Sequence, residues 1–128
     1  VRLLLDTHAL LWWLAGDAAL SEPAQAAIGD AKNEVFVSAA TAWEITTKYR
    51  IGKLPGVSAI FGDLDGAIAD QGFIELPIRF RHGQIVGALP GPHRDPFDRM
   101  LMAQAMLENL VLVSNEAAFD VYGVARLW

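Results

Sequence analysis

The feature that most constrains this chain is an alternation between short apolar runs and longer segments with helical spacing. Arg2-Leu-Leu-Leu5 is apolar after its arginine and stops at Asp6. Glu34-Val-Phe-Val-Ser38, Phe73-Ile-Glu-Leu76 and Leu110-Val-Leu-Val113 are built alike, and Val124 to Trp128 fits a last edge strand. Runs this short and apolar suit strands buried on both faces. Between them the sequence predicts helices from His8 to Leu14 (closed by Gly16), after Ser21-Glu-Pro, and from about Ala40 to Arg50 (stopped at Gly52). Further helices are predicted from Val57 to Asp70 (stopped at Gly72), weakly from Phe80 to Gly87, strongly from Pro96 to Glu108, and as a turn from Glu116 to Asp120. Such alternation predicts an α/β fold of three layers, with helices on both faces of a central, mostly parallel sheet of four to five strands. With no repeat or linker, the 128 residues fit one domain spanning 1–128.

Composition narrows the class. The chain is 53% hydrophobic with no cysteine, which excludes disulfides and thiolate chemistry and fits a reducing, cytoplasmic setting. Its longest apolar run, Ala9 to Ala15, is far short of the ~20 residues that span a bilayer. Val1 and Arg2 lead directly into a strand, so no leader and no membrane association are expected. A dense α/β core accounts for most of the apolar excess; a partner-covered surface is the alternative. The net charge of −5 argues against a general nucleic-acid binder unless acids converge on bound cations.

In parallel α/β folds, ligands bind beyond the carboxyl ends of the strands. Asp6 directly follows an apolar strand, where a carboxylate is costly unless paired, hydrogen-bonded or metal-bound. Capping of the first helix by Asp6 or Thr7 is the competing explanation. Glu44 follows the second strand; a capping box with Thr41 or an i,i+4 pair with Lys48 would also explain it. Asp95 precedes Pro96 and reads as a helix cap, with Asp98 in the first turn. Glu116 follows the fourth strand through Ser114-Asn115 and could be an ordinary first-turn acid.

Jointly, Asp6, Glu44, Asp98 and Glu116 all fall where the chain leaves a strand or enters the next helix. Together and unpaired they would raise one another's pKa values. Magnesium or manganese, hard cations that favour oxygen ligands, would relieve that repulsion. All-oxygen sites support phosphodiester hydrolysis by metal-activated water. The P-loop, H-E-x-x-H and G-x-S-x-G patterns are absent, and His8, His82 and His93 lack zinc spacing. A haloacid-dehalogenase-type phosphatase wants a second Asp where His8 stands, and the paired acids of a receiver domain are missing after the first strand.

Five blocks carry a resemblance. They are Leu4-Leu-Asp-Thr-His-Ala-Leu-Leu-Trp-Trp13, Val37-Ser-Ala-Ala-Thr-Ala-Trp-Glu-Ile45, Ile51-Gly-Lys-Leu54, His93-Arg-Asp-Pro-Phe-Asp-Arg-Met-Leu-Met-Ala-Gln-Ala105, and Tyr122-Gly-Val124 through Trp128. In this order they resemble PIN-domain toxins of the VapC type from bacterial toxin–antitoxin systems. The resemblance implies a magnesium- or manganese-dependent endoribonuclease, a homodimer, an RNA substrate and a VapB-type antitoxin. It also implies that Asp6, Glu44 and Asp98 are the metal ligands, with Asp95 and Glu116 in a lesser role. Glu116 stands where the family usually has Asp, which marks the second-metal side of the site as the departure. His8, Lys48, Arg94 and Arg99 lie near these blocks and are candidates to hold RNA phosphates. The competing functions are a non-catalytic PIN-fold binding module and a magnesium-dependent phosphatase.

Overall fold

The computed structural model describes residues 1–54 and 62–128. Five strands form one sheet: β1 (Arg2–Leu5), β2 (Glu34–Ser38), β3 (Ile74–Leu76), β4 (Val111–Val113) and β5 (Arg126–Leu127). Their order is β3-β2-β1-β4-β5, and every pairing is parallel, including that of the last edge strand. The helices are α1 (Thr7–Ala15), α2 (Glu22–Gly29), α3 (Ala39–Arg50), α4 (Leu64–Asp70), α5 (Phe80–Ala88) and α6 (Pro96–Glu108), with a 3-10 helix over Ala117–Tyr122.

Strand alternation divides the core in two. Leu3, Leu5, Val35, Val37 and Val113 face one way and pack with Leu10 of α1, Ile28 of α2, Ile45 of α3 and Ile68 of α4. Leu4, Phe36 and Leu112 face the other way, toward Leu101, Met102 and Ala105 of α6 and Phe119 of the 3-10 helix. The three leucines of β1 are fully buried. At roughly 1.5–3 kcal/mol each, they make β1 the anchor of the sheet.

The ends of the elements follow local chemistry. Ser21 caps α2 by accepting from Ala24 N–H at 3.2 Å. Gly16, at φ 64°, ends α1 in the left-handed conformation that glycine adopts freely. The helix predicted over 57–70 is seen from Leu64, with Asp63 as its cap; the part of that prediction over 57–61 lies outside the described residues. The capping box predicted as one explanation of Glu44 is absent, because α3 starts earlier. Ser38 is its cap, accepting from Ala40 N–H at 3.0 Å, so Thr41 lies inside the helix.

The topology fixes where a site can form. The chain moves outward from β1 through β2 to β3, then crosses back to β4 on the other side of β1. Connections leaving neighbouring strands β1 and β4 therefore diverge, and a crevice opens at their carboxyl ends. Asp6 follows β1 at that point, and Ser114 follows β4.

Candidate active site

Asp6 is only 6% exposed. It caps α1, its Oδ1 accepting from Ala9 N–H at 2.8 Å, and its own N–H donates to Val113 O at 3.1 Å. Capping does not exclude a second role, because one carboxylate oxygen satisfies the helix. Burial pushes the Asp6 carboxyl above its ordinary range, and the charge of Glu44 adds to the rise. Hydrogen bonds from Ser114 and Ala9 and the nearby charge of His8 work against it.

Glu44, 3% exposed, extends from α3 to the start of α1 beside Asp6. Both its oxygens are engaged. Thr7 Oγ1 donates to Oε1 at 2.5 Å, and the Lys48 ammonium, one turn further along α3, donates to Oε2. The i,i+4 pair predicted from the sequence is therefore present, and it is directed inward rather than lying on a solvated face.

The start of α6 supplies two more acids. Asp95 caps the helix, its Oδ1 accepting from Asp98 N–H at 3.0 Å. Asp98 is half-buried and hydrogen-bonded to His93 Nε2 at 2.9 Å. Burial pushes Asp98 up to about 6; the charges of Asp95 and Glu44 contribute, and His93 opposes the shift. Burial disfavours the Lys48 ammonium, yet Glu44, Asp95 and Asp98 together hold its pKa above the ordinary lysine range. Asp6, Glu44, Asp95, Asp98 and Lys48 thus share one electrostatic neighbourhood, although Glu44 is more than thirty residues from Asp6 along the chain.

Other predicted residues stand apart. Glu116 is exposed and caps the 3-10 helix, its Oε1 accepting from Ala118 N–H at 3.4 Å. Its charge acts on Arg126, and it is not among the charges that shift Asp6 or Asp98. His8 is exposed and its ring lies 5.5 Å from that of Trp12. Arg94 is exposed. Arg99 does not face outward: its guanidinium donates to the carbonyls of His93 at 2.7 Å, Gly91 at 3.5 Å and Leu89. It clamps the 89–93 loop. Tyr122 adds a second clamp, its hydroxyl accepting from His93 N–H at 2.9 Å. Gly91, at φ 105°, lets the loop pass Tyr122, where a Cβ would come within 2.5 Å of the hydroxyl.

Sequence reasoning passed over three residues that orient the acids. Thr7, which the sequence offers as a helix cap, fixes Glu44. Ser114 is fully buried, bonds Asp6 and accepts from Glu116 N–H at 3.0 Å. His93 fixes Asp98. The signal for Ser114 was its place directly after β4, equivalent to that of Asp6 after β1.

The donor chemistry suits a hard divalent cation, being all carboxylate and carrying raised carboxyl pKa values. Among the described residues, no three acidic or imidazole groups are close enough to hold an ion as they stand. The Lys48 ammonium is paired to one of them instead.

A doubly wound parallel sheet with carboxylates gathered at its switch point defines the class. A family model for the PIN domain matches residues 3–125, and the chain belongs to that family. It is 48% identical over 42 residues to "Ribonuclease VapC16" from Mycobacterium tuberculosis (strain ATCC 25618 / H37Rv), a match spanning 33% of this chain and 28% of that relative's length. Its structure resembles the crystal structure of VapBC2 from Rickettsia felis, bound to a DNA fragment from their promoter, with a TM-score of 0.71 at 14% identity. That likeness covers 99% of this chain and 98% of the other. It also resembles FitAcB from Neisseria gonorrhoeae, with a TM-score of 0.67 at 19% identity over 100% of this chain and 97% of the other. At these identities the structural likeness is one of fold.

Among the described residues, no helix is long and apolar enough to cross a membrane.

Proposed function

We propose that this chain is a divalent-metal-dependent endoribonuclease acting in the cytoplasm as the toxin of a toxin–antitoxin pair. The observation that supports the reading is that buried Glu44 acts electrostatically on Asp6 on one side and on Asp98 on the other, with the Asp98 carboxyl pushed up to about 6. Burial is the largest cause of both raised values, the neighbouring acids add to it, and a positive charge placed beside these carboxyls would lower them again.

In this reading Asp6, Glu44 and Asp98 hold magnesium or manganese, with Asp95 beside them. The bound cation would polarise the phosphate and lower the pKa of a water. The chain's own residues do the positioning. Ser114 orients Asp6, Thr7 orients Glu44 and His93 orients Asp98. Arg94 and His8, both exposed, are available for RNA phosphates. Arg99 acts indirectly, by holding the loop that carries His93. Glu116, the fourth acid of the resemblance, caps the 3-10 helix and pairs electrostatically with Arg126, so any part it plays at the metal is through Ser114, which its N–H bonds.

The partner assignment draws on the relatives. The Mycobacterium relative is named a ribonuclease, and a solved neighbour from Klebsiella pneumoniae is a toxin–antitoxin complex. By analogy with these and with VapBC2 from Rickettsia felis, a VapB-type antitoxin neutralises this chain; that it works as a homodimer is what the sequence resemblance implies.

The test is incubation of the free protein with structured RNA in Mg2+ and in EDTA. Internal cleavage that stops in EDTA is expected. Cleavage indifferent to EDTA, or none across many RNAs, would overturn the reading. Turnover of a generic phosphomonoester without RNA cleavage would favour a phosphatase.

A further inference from the structure

Lys48 poses a problem that the proposed function leaves open. Its ammonium is bonded to a Glu44 oxygen that a metal would claim, and Thr7 holds the other oxygen. An exposed i,i+4 pair on a helix would be weak and dispensable. This one is not exposed, because the Glu44 side chain is 4% accessible and that of Lys48 28%. A carboxylate so buried cannot be left unpaired without a heavy penalty. Lys48 also feels the charges of Asp95 and Asp98, so it balances acids from two helices.

We infer that Lys48 is an exchangeable counter-ion: it neutralises Glu44 and its neighbours in the metal-free protein, and a divalent cation displaces its ammonium toward the RNA backbone. The inference rests on the metal-site reading and adds a competitor to it. Three consequences follow from charge alone. Lys48 keeps the acids compatible with folding before metal arrives. It opposes metal binding, because its unit charge must be moved away from the same carboxylates. Once displaced, its long flexible stem leaves a point charge near the crevice mouth, suited to a phosphate oxygen. The exchange involves no covalent step.

The experiment measures Mn2+ binding to the full chain by calorimetry and electron paramagnetic resonance, in wild type, Lys48→Met, Lys48→Arg and Asp98→Asn. Lys48→Met should bind Mn2+ about tenfold more tightly, the order expected from removing one charge a few ångströms away. Lys48→Arg keeps the charge and should stay near wild type. Acetylation kinetics read by mass spectrometry supply a second readout. Lys48 should react slowly in EDTA and about tenfold faster in Mg2+, whereas exposed Lys32 and Lys53 should not change. Mn2+ binding by Lys48→Met no tighter than wild type, or Lys48 reactivity unmoved by Mg2+, overturns the inference and leaves the metal site standing. Equal Mn2+ binding by wild type and Asp98→Asn removes the metal site itself, and the inference with it.

Discussion

Asp98 shows how much one carboxyl group reveals about the crevice. Its pKa is pushed from 3.8 to about 6 by burial, with help from Asp95 and Glu44. The native state therefore holds this proton more tightly than the unfolded chain does. The associated stability is present in full below about pH 4 and is lost as pH rises through about 6. Asp98→Asn should accordingly stabilise the metal-free protein at pH 7.5, by about 1–2 kcal/mol once solvent screening is allowed for, and the gain should fade toward pH 4. Thermal melts in EDTA at the two pH values check this. A variant no more stable than wild type at pH 7.5 would mean that the acid is already compensated. Asp6, also raised, should behave in the same direction. The individual acids were legible in the sequence because each follows an apolar run or opens a helix. Their partners were not. Thr7 with Glu44, Ser114 with Asp6, and Lys48 with Asp95 and Asp98 are pairings that depend on how strands are ordered, and local sequence does not encode that order.

At the scale of elements, the strands were the most readable part, because short apolar runs leave few alternatives to a doubly covered sheet. Helix starts were less so. The Thr41 and Glu44 spacing imitates a capping box, but Ser38, the last residue of β2, claims the cap first and makes the strand-to-helix junction abrupt. That junction also carries a buried polar staple. Gln104 of α6 accepts from Ser38 Oγ at 2.5 Å and donates to Pro77 O at 3.2 Å, tying α6 to the carboxyl ends of β2 and β3. Gln104 is fully buried. Removing it leaves the Ser38 hydroxyl proton and Pro77 O without this acceptor and donor, while Ser38 Oγ still accepts from Ala40 N–H. Gln104→Ala should cost about 2–4 kcal/mol, the sum of a lost buried hydrogen-bonding group and a cavity. Urea unfolding measures the loss; a change under about 0.5 kcal/mol would show that water replaces the amide.

For the whole molecule, the puzzle is a chain of net charge −5 whose proposed substrate is a polyanion. The fold resolves it by concentration. On the proposed function, a divalent cation bound by Asp6, Glu44 and Asp98 would turn these acids from a repulsive patch into an anchor for phosphate, and exposed Arg94 stands in the loop leading into α6. Neighbouring strands β1 and β4 deliver Asp6 and Ser114 side by side, α3 brings Glu44 within electrostatic reach of Asp6, and α6 brings Asp98 within reach of Glu44. The most direct test of this account is the cleavage rate of structured RNA by purified wild-type protein and Asp6→Asn, each titrated with Mg2+. The expected result is Mg2+-dependent internal cleavage by wild type and a rate at least about 100-fold lower for Asp6→Asn, with both proteins equally folded by circular dichroism. Asp6→Asn cutting RNA at the wild-type rate, or a wild-type rate that ignores Mg2+, would contradict it.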